Sequence, residues 1–122
     1  MAIESSSLDT EIDWEYLHEL SGDNPEFEQE ILTLFCEDTA AQLQNLKAAL
    51  IAPDLAAAKA IAHHLKGSAS NLRLTGIQTC AIAIETQLRQ KHLAQATALL
   101  PNLEQAFDHL QSRVRSLAGS SD

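Results

Sequence analysis

The sequence predicts an all-α domain: an antiparallel up-and-down four-helix bundle with a short extra helix at the N-terminus. Three observations predict it. Alanine, leucine, glutamine and glutamate abound while valine occurs once in 122 residues, a balance that favours helices over strands. Apolar residues recur at helical spacing along four long runs. Short breaks at Pro53, Thr75-Gly76 and Gln90-Lys91-His92 separate those runs, and short connections make successive helices antiparallel neighbours.

Residues 1–11 are polar, serine-containing and without a sustained apolar period, and read as a mobile tail ahead of a domain over 12–118. A short helix is expected from about Ile12 to Leu20, with Asp9 or Thr10 as its cap and Ile12, Tyr16, Leu17 and Leu20 on one side. Ser21-Gly22-Asp23-Asn24 ends it. Pro25 suits the first turn of the second helix, with Asn24 as cap and Glu26 and Glu28 at its positive end. Phe27, Ile31, Leu34, Phe35, Leu43, Leu46 and Leu50 carry that helix to Ala52, where Pro53 breaks it. Asp54 caps the third, which runs to about Leu72 or Leu74. In the fourth, Ile77, Cys80, Ala81, Ile84 and Leu88 form the apolar stripe. The fifth run, Leu93 to Leu117, contains Pro101, which removes a backbone hydrogen bond and predicts a kink or two helices in line. Residues 119–122 read as a frayed tail.

Composition excludes several classes of function. A formal net charge of −9 argues against general nucleic-acid binding, which needs a surplus of lysine and arginine. Twelve of the seventeen acidic residues lie in the first 38 positions, and the first basic residue is Lys47, an asymmetry that reads as a solvated acidic face. Cys36 and Cys80 have no pair spacing for a metal or redox motif and are expected as buried thiols. No apolar run approaches the roughly 20 residues of a membrane span, and the N-terminus lacks the basic start of a secretory signal. A cytoplasmic, monomeric protein is the expectation.

The third helix holds the chemistry. At about 100° per residue, Ile61, Leu65 and Leu72 fall together, flanked by Ala58, Ser68 and Ala69, and this is the expected buried stripe. His63 then faces solvent, with Lys66 and Gly67 beside it at i+3 and i+4. Glycine inside a helix costs about 1 kcal/mol relative to alanine. Gly67 therefore either admits a neighbouring helix or clears the approach of a partner, and its angle, nearer His63 than Leu65, favours the partner. Lys59, Lys66 and Arg73 stand seven apart and drift only about 20° per step, which makes them either a basic ridge or ordinary solvated charges. His64 lies about 100° round from His63 and reads as a boundary residue. His18, His92 and His109 lack a same-helix partner at metal-ligand spacing, so no metal site is expected. Glu85 is the only acidic residue between Asp54 and Glu104 and borders the fourth helix's apolar stripe, which nominates it to orient the His63 ring. Ser70, two turns beyond His63 on its face, is better placed than Ser68 to touch a group carried there. No nucleotide-binding loop is present, so no autonomous kinase activity is expected.

The pattern His63-x-Leu65-Lys66-Gly67-Ser68 closely resembles the phosphoacceptor motif of histidine-containing phosphotransfer (HPt) domains of two-component relays. The likeness extends from about Asp13 to Leu117. Trp14-Glu15-Tyr16-Leu17, Asn24-Pro25-Glu26-Phe27 and Leu34-Phe35 with Glu37-Asp38 are similar to the family's opening. One departure stands out: many members carry glycine at the tenth position after the histidine, where this chain has Arg73. The resemblance implies the same bundle, and His63 as acceptor of a phosphoryl group from a receiver-domain phosphoaspartate, later passed to another receiver aspartate. It implies receiver domains and a hybrid histidine kinase as partners, no cofactor of the chain's own, and Mg²⁺ on the receiver. Lys66 would offset phosphoryl charge, Gly67 would give access, Lys59 and Arg73 would face the partner, and Ser70 would touch phosphate. Several similar domains place glutamate or glutamine 22 positions after the histidine, the position of Glu85. A helical adaptor that docks receivers without carrying phosphate is the alternative.

Overall fold

The computed structural model describes residues 12–120 of the chain, with side chains as far as Leu117. Among the described residues there are five helices and no strand: α1 (Trp14–Ser21), α2 (Pro25–Ile51), α3 (Leu55–Asn71), α4 (Thr75–Arg89) and α5 (Leu93–Ser120). Helices α2 to α5 each pack on their chain neighbour, α5 closes back on α2, and α1 lies against α2. This is the expected four-helix bundle with its short extra helix. The expected N-terminal tail lies outside the described residues, as do Asp9 and Thr10, and α5 extends beyond the expected boundary at 118 to Ser120.

Capping fixes where the helices start. The Asn24 side chain accepts from Phe27 N at 3.1 Å with Pro25 in the first turn, and Asp54 accepts from Ala57 N at 3.0 Å, both as expected. At α1 the cap is Asp13, whose Oδ1 accepts from Tyr16 N at 3.0 Å. The expectation of Asp9 or Thr10 fails because the first turn begins at Trp14, leaving Asp13 the residue whose carboxylate reaches the unpaired amides.

The core corrects two stripes. On α2, Phe27 and Leu34 are exposed while Glu28, Leu32, Phe35, Cys36 and Thr39 are buried. The cause is α1, which covers the Glu28 side. Glu28 Oε2 accepts from His18 Nδ1–H at 2.6 Å and from Ser21 Oγ at 2.7 Å. Burial pushes the Glu28 carboxyl up, but these hydrogen bonds outweigh it and hold it below its ordinary value; the same bond raises His18. Leu20, expected on the covered side of α1, is exposed. On α3 the fully buried line is Ala58, Ala62, Leu65 and Ala69, while Ile61 and Leu72 are only partly covered. Three alanines let neighbouring helices approach closely, and the line sits about one residue round from the expected stripe. Of the two cysteines, Cys36 is buried and Cys80 half-buried.

Pro101 lies inside a single continuous α5, so the two-helix alternative does not hold. Leu100, Leu103, Phe107 and Leu110 are all buried around it. At about 1.5–3 kcal/mol per buried side chain, their packing outweighs the roughly 3 kcal/mol cost of a helical proline.

Arg73 ends α3. Its φ is 55°, Leu74 N donates to Ala69 O at 2.8 Å and Arg73 N to Ser70 O at 3.1 Å, the paired bonds of a helix end closed by a left-handed residue. Glycine would adopt that conformation with less strain than arginine does. Arg73 offsets the strain by tying α1 down: its guanidinium lies 4.1 Å from the Tyr16 ring centroid and 3.6 Å from Asp13 Oδ2. Tyr16 Oη adds a 3.0 Å bond to Asn71 O.

Thr39 is fully buried and its Oγ1 has no hydrogen-bond partner among the described residues. A buried hydroxyl without a partner costs free energy that an apolar group of similar shape does not. Thr39→Val is therefore expected to stabilise the bundle by about 1 kcal/mol, read as a higher urea midpoint with unchanged m-value. An equal or lower midpoint overturns this.

Candidate functional site

His63 stands on the outward side of α3 with a side chain 64% exposed, held from behind by α4. Leu65 and Ala69 bury one side of α3, and Ile84 and Leu88 bury the matching side of α4. That packing sets Glu85 of α4 facing His63 of α3. His63 Nδ1 lies 3.1 Å from Glu85 Oε2.

Glu85 is the buried hub of the site. Lys66 Nζ lies 3.0 Å from its Oε1, and an Arg89 guanidinium nitrogen lies 3.0 Å from its Oε2. Burial alone pushes the Glu85 carboxyl up, yet hydrogen bonds from Lys66, Arg89 and His63 outweigh burial and hold it down at about 2. Glu85 is thus ionised near neutral pH. An ionised carboxylate only accepts hydrogen bonds, so Nδ1 of His63 carries the proton. The lone pair is left on Nε2. The arrangement makes a tautomer-locked, solvent-facing imidazole, the state of a nitrogen nucleophile.

Gly67 is exposed, and a Cβ placed there would meet nothing within 4 Å among the described residues. The close-packing explanation for this glycine fails, because no neighbouring helix occupies the space. Gly67, like His63, presents an open surface.

The structure thus gathers His63, Lys66 and Glu85, with Gly67 on the open surface beside them, and leaves the remaining sequence candidates elsewhere. Ser70 is exposed on α3 about 10 Å of helix rise beyond His63. Lys59 is exposed one turn before it. Arg73 turns to α1, and Lys66 turns inward to Glu85, so two of the three residues in the supposed ridge make contacts within the chain. His64 Nε2 lies 3.0 Å from Asp38 Oδ2 of α2 and 3.4 Å from Ser68 Oγ, an exposed link beside His63.

Arg89 was missed by sequence reasoning. The available signal was its place four residues after Glu85, the spacing of neighbours on a helix face. The His18–Glu28 pair had no such signal, since it joins two helices across a turn. Among the described residues, no group of three or more His, Cys, Asp or Glu side chains could hold a metal ion, and no helix is long and apolar enough to cross a membrane.

The Hpt domain family model matches residues 30–113. Two solved structures share the fold. One, from rice, assigned as a histidine-containing phosphotransfer protein, has a TM-score of 0.81 at 21% identity, covering 94% of this chain and 84% of that one. The other, a histidine-containing phosphotransfer protein from maize, has a TM-score of 0.76 at 20% identity, covering 92% of this chain and 85% of that one. No curated protein matches the sequence.

Proposed function

This chain belongs to the Hpt domain family, and from that premise we propose that it is a phosphocarrier in a two-component phosphorelay with His63 as its acceptor. The observation that carries the assignment is His63 itself: exposed, with Nδ1–H donating to a buried, ionised Glu85. The Nε2 lone pair attacks the phosphorus of a receiver's aspartyl phosphate. As the Nε2–P bond forms, the P–O bond breaks and its electron pair returns to the aspartate as carboxylate. The ring, still protonated on Nδ1, becomes cationic, and the Glu85 carboxylate faces that charge. Attack by a second receiver's aspartate on the same phosphorus reverses the step and restores the neutral ring. This chain supplies a positioned nucleophile and a matching anion. It has no need of nucleotide, and its partners are receiver domains and, upstream, a hybrid histidine kinase.

Transfer of label from a phosphorylated receiver tests the reading. Acid-labile, alkali-stable label on this chain is expected. No label from any of several receivers would move the assignment to a docking adaptor.

Gly67 adds a stability test. Because nothing among the described residues fills its missing side chain, Gly67→Ala is expected to raise stability by about 1 kcal/mol while slowing transfer from a receiver, whose loops must approach that surface. A variant both more stable and equally fast would remove Gly67 from the docking face.

A further inference from the structure

One buried carboxylate here holds two cations at once. Lys66 Nζ sits 3.0 Å from Glu85 Oε1, and Arg89 sits 3.0 Å from Oε2, the oxygen that also accepts from His63. Glu85 is 7% exposed, Lys66 31% and Arg89 63%. A buried charge stripped of its last partner is strongly disfavoured. With Arg89 and the His63 Nδ1–H still on Glu85, Lys66 can leave.

Phosphorylation of His63 creates the reason to leave. The phosphoryl group brings close to two negative charges and three acceptor oxygens to the surface beside Lys66. Lys66 follows His63 at i+3 on the same helix, so its ammonium, on a flexible four-carbon stem, has a short path from one anion to the other. Arg89 is placed differently. It projects from α4 four residues beyond Glu85, on the oxygen away from Lys66, and its planar fork suits a carboxylate.

Resting on the carrier reading above, we infer that Lys66 passes from Glu85 to the phosphoryl group when His63 is charged, and that Arg89 is the positioning residue that permits this by remaining on Glu85. Without Arg89, departure of Lys66 would leave the His63 ring as the one side chain of those three still on a buried carboxylate. Release of Lys66 would then be opposed. The apparent redundancy of the two cations is the working feature of the site.

The test uses the full chain, labelled with ¹⁵N, and potassium phosphoramidate as donor. In that reaction the P–N bond breaks with its electron pair leaving on ammonia as the Nε2–P bond forms. Phosphohistidine formation is followed by ³¹P NMR and Lys66 by its side-chain ammonium resonance. On phosphorylation the wild-type Lys66 resonance is expected to shift, and in Arg89→Gln it is expected to stay in place. Arg89→Gln and Lys66→Gln should each slow phosphohistidine formation about tenfold, and the double variant should be little slower than either, because both remove one event. Arg89→Lys, which keeps a cation on Glu85, should recover to within about twofold of wild type, a rescue that a merely structural arginine would not show. Multiplying effects of about a hundredfold in the double variant, or a Lys66 resonance that shifts equally without Arg89, would overturn the handover while leaving the carrier intact. A wild type that takes no phosphoryl group at all would overturn the carrier reading, and the handover with it.

Discussion

Replacing His63 with glutamine is expected to abolish acid-labile labelling from a phosphorylated receiver, a loss of at least about a thousandfold, while leaving the fold essentially as stable as wild type. Both halves follow from the geometry. Glutamine has no nitrogen lone pair able to attack phosphorus, since its amide nitrogen is delocalised into the carbonyl. It does have an N–H donor at a comparable reach, so the Glu85 oxygen now 3.1 Å from Nδ1 keeps a partner. The position is 64% exposed, no core packing is lost, and glutamine is a somewhat better helix former than histidine. The thermal midpoint should therefore stay within about 2 °C. His64→Gln is the matching experiment. His64 Nε2 is engaged by Asp38 and Ser68 rather than backed by a buried carboxylate, so this variant should still take label. Acid-labile phosphate persisting in His63→Gln and vanishing in His64→Gln would exchange the two assignments.

The acceptor motif was legible in the sequence for a local reason. His63, Lys66 and Gly67 lie within two turns of one helix, and helical periodicity alone puts them on one exposed side. Asn24, Pro25 and Asp54 were legible too, because a cap acts on amides two or three residues away. What failed depended on contacts between helices. Phe27 and Leu34 kept the apolar period of α2, but α1 covers the Glu28 side instead, and nothing in the spacing of α2 alone reveals where α1 lies. Helical spacing alone makes Arg73 either part of a basic ridge beside the site or an ordinary solvated charge. Its left-handed backbone and its contact with Tyr16 belong to the joint between α1 and the end of α3, and no one-helix projection contains that joint. Glu85 is legible as the only acidic residue between Asp54 and Glu104, at the border of an apolar stripe. Arg89 was missed, though the carboxylate it binds had been found, because its role depends on Glu85 being buried.

Glu85→Gln is expected to flatten the acid end of the stability curve. The ordinary carboxyl value is 4.5, and in the folded protein Glu85 is held at about 2. A depressed value contributes stability that is fully present above the unfolded pKa and disappears as pH falls through the folded one, so the contribution is lost between about pH 4.5 and pH 2. Its size is on the order of 2 kcal/mol, reduced from the bare linkage figure because Arg89 is 63% and Lys66 31% exposed, so solvent screens both. Glu28 is lowered as well and loses its contribution in the same direction. It is present in both proteins, so the difference between the two curves isolates Glu85. Urea titrations should find Glu85→Gln less stable than wild type by about that amount at pH 7, with the two converging near pH 2. Transfer divides the same interaction differently. Glutamine still offers a carbonyl to the His63 Nδ1–H, so orientation survives while the anion that faces the cationic ring is gone, and a loss of about tenfold is expected. Glu85→Leu removes the acceptor as well and should lose about a hundredfold. If Glu85→Gln and Glu85→Leu were equally slow, orientation of the ring would contribute nothing and the charge alone would account for the pair's effect on transfer; if wild type and Glu85→Gln kept the same separation down to pH 2, the carboxylate would not be the ionised hub from which the tautomer of His63 follows.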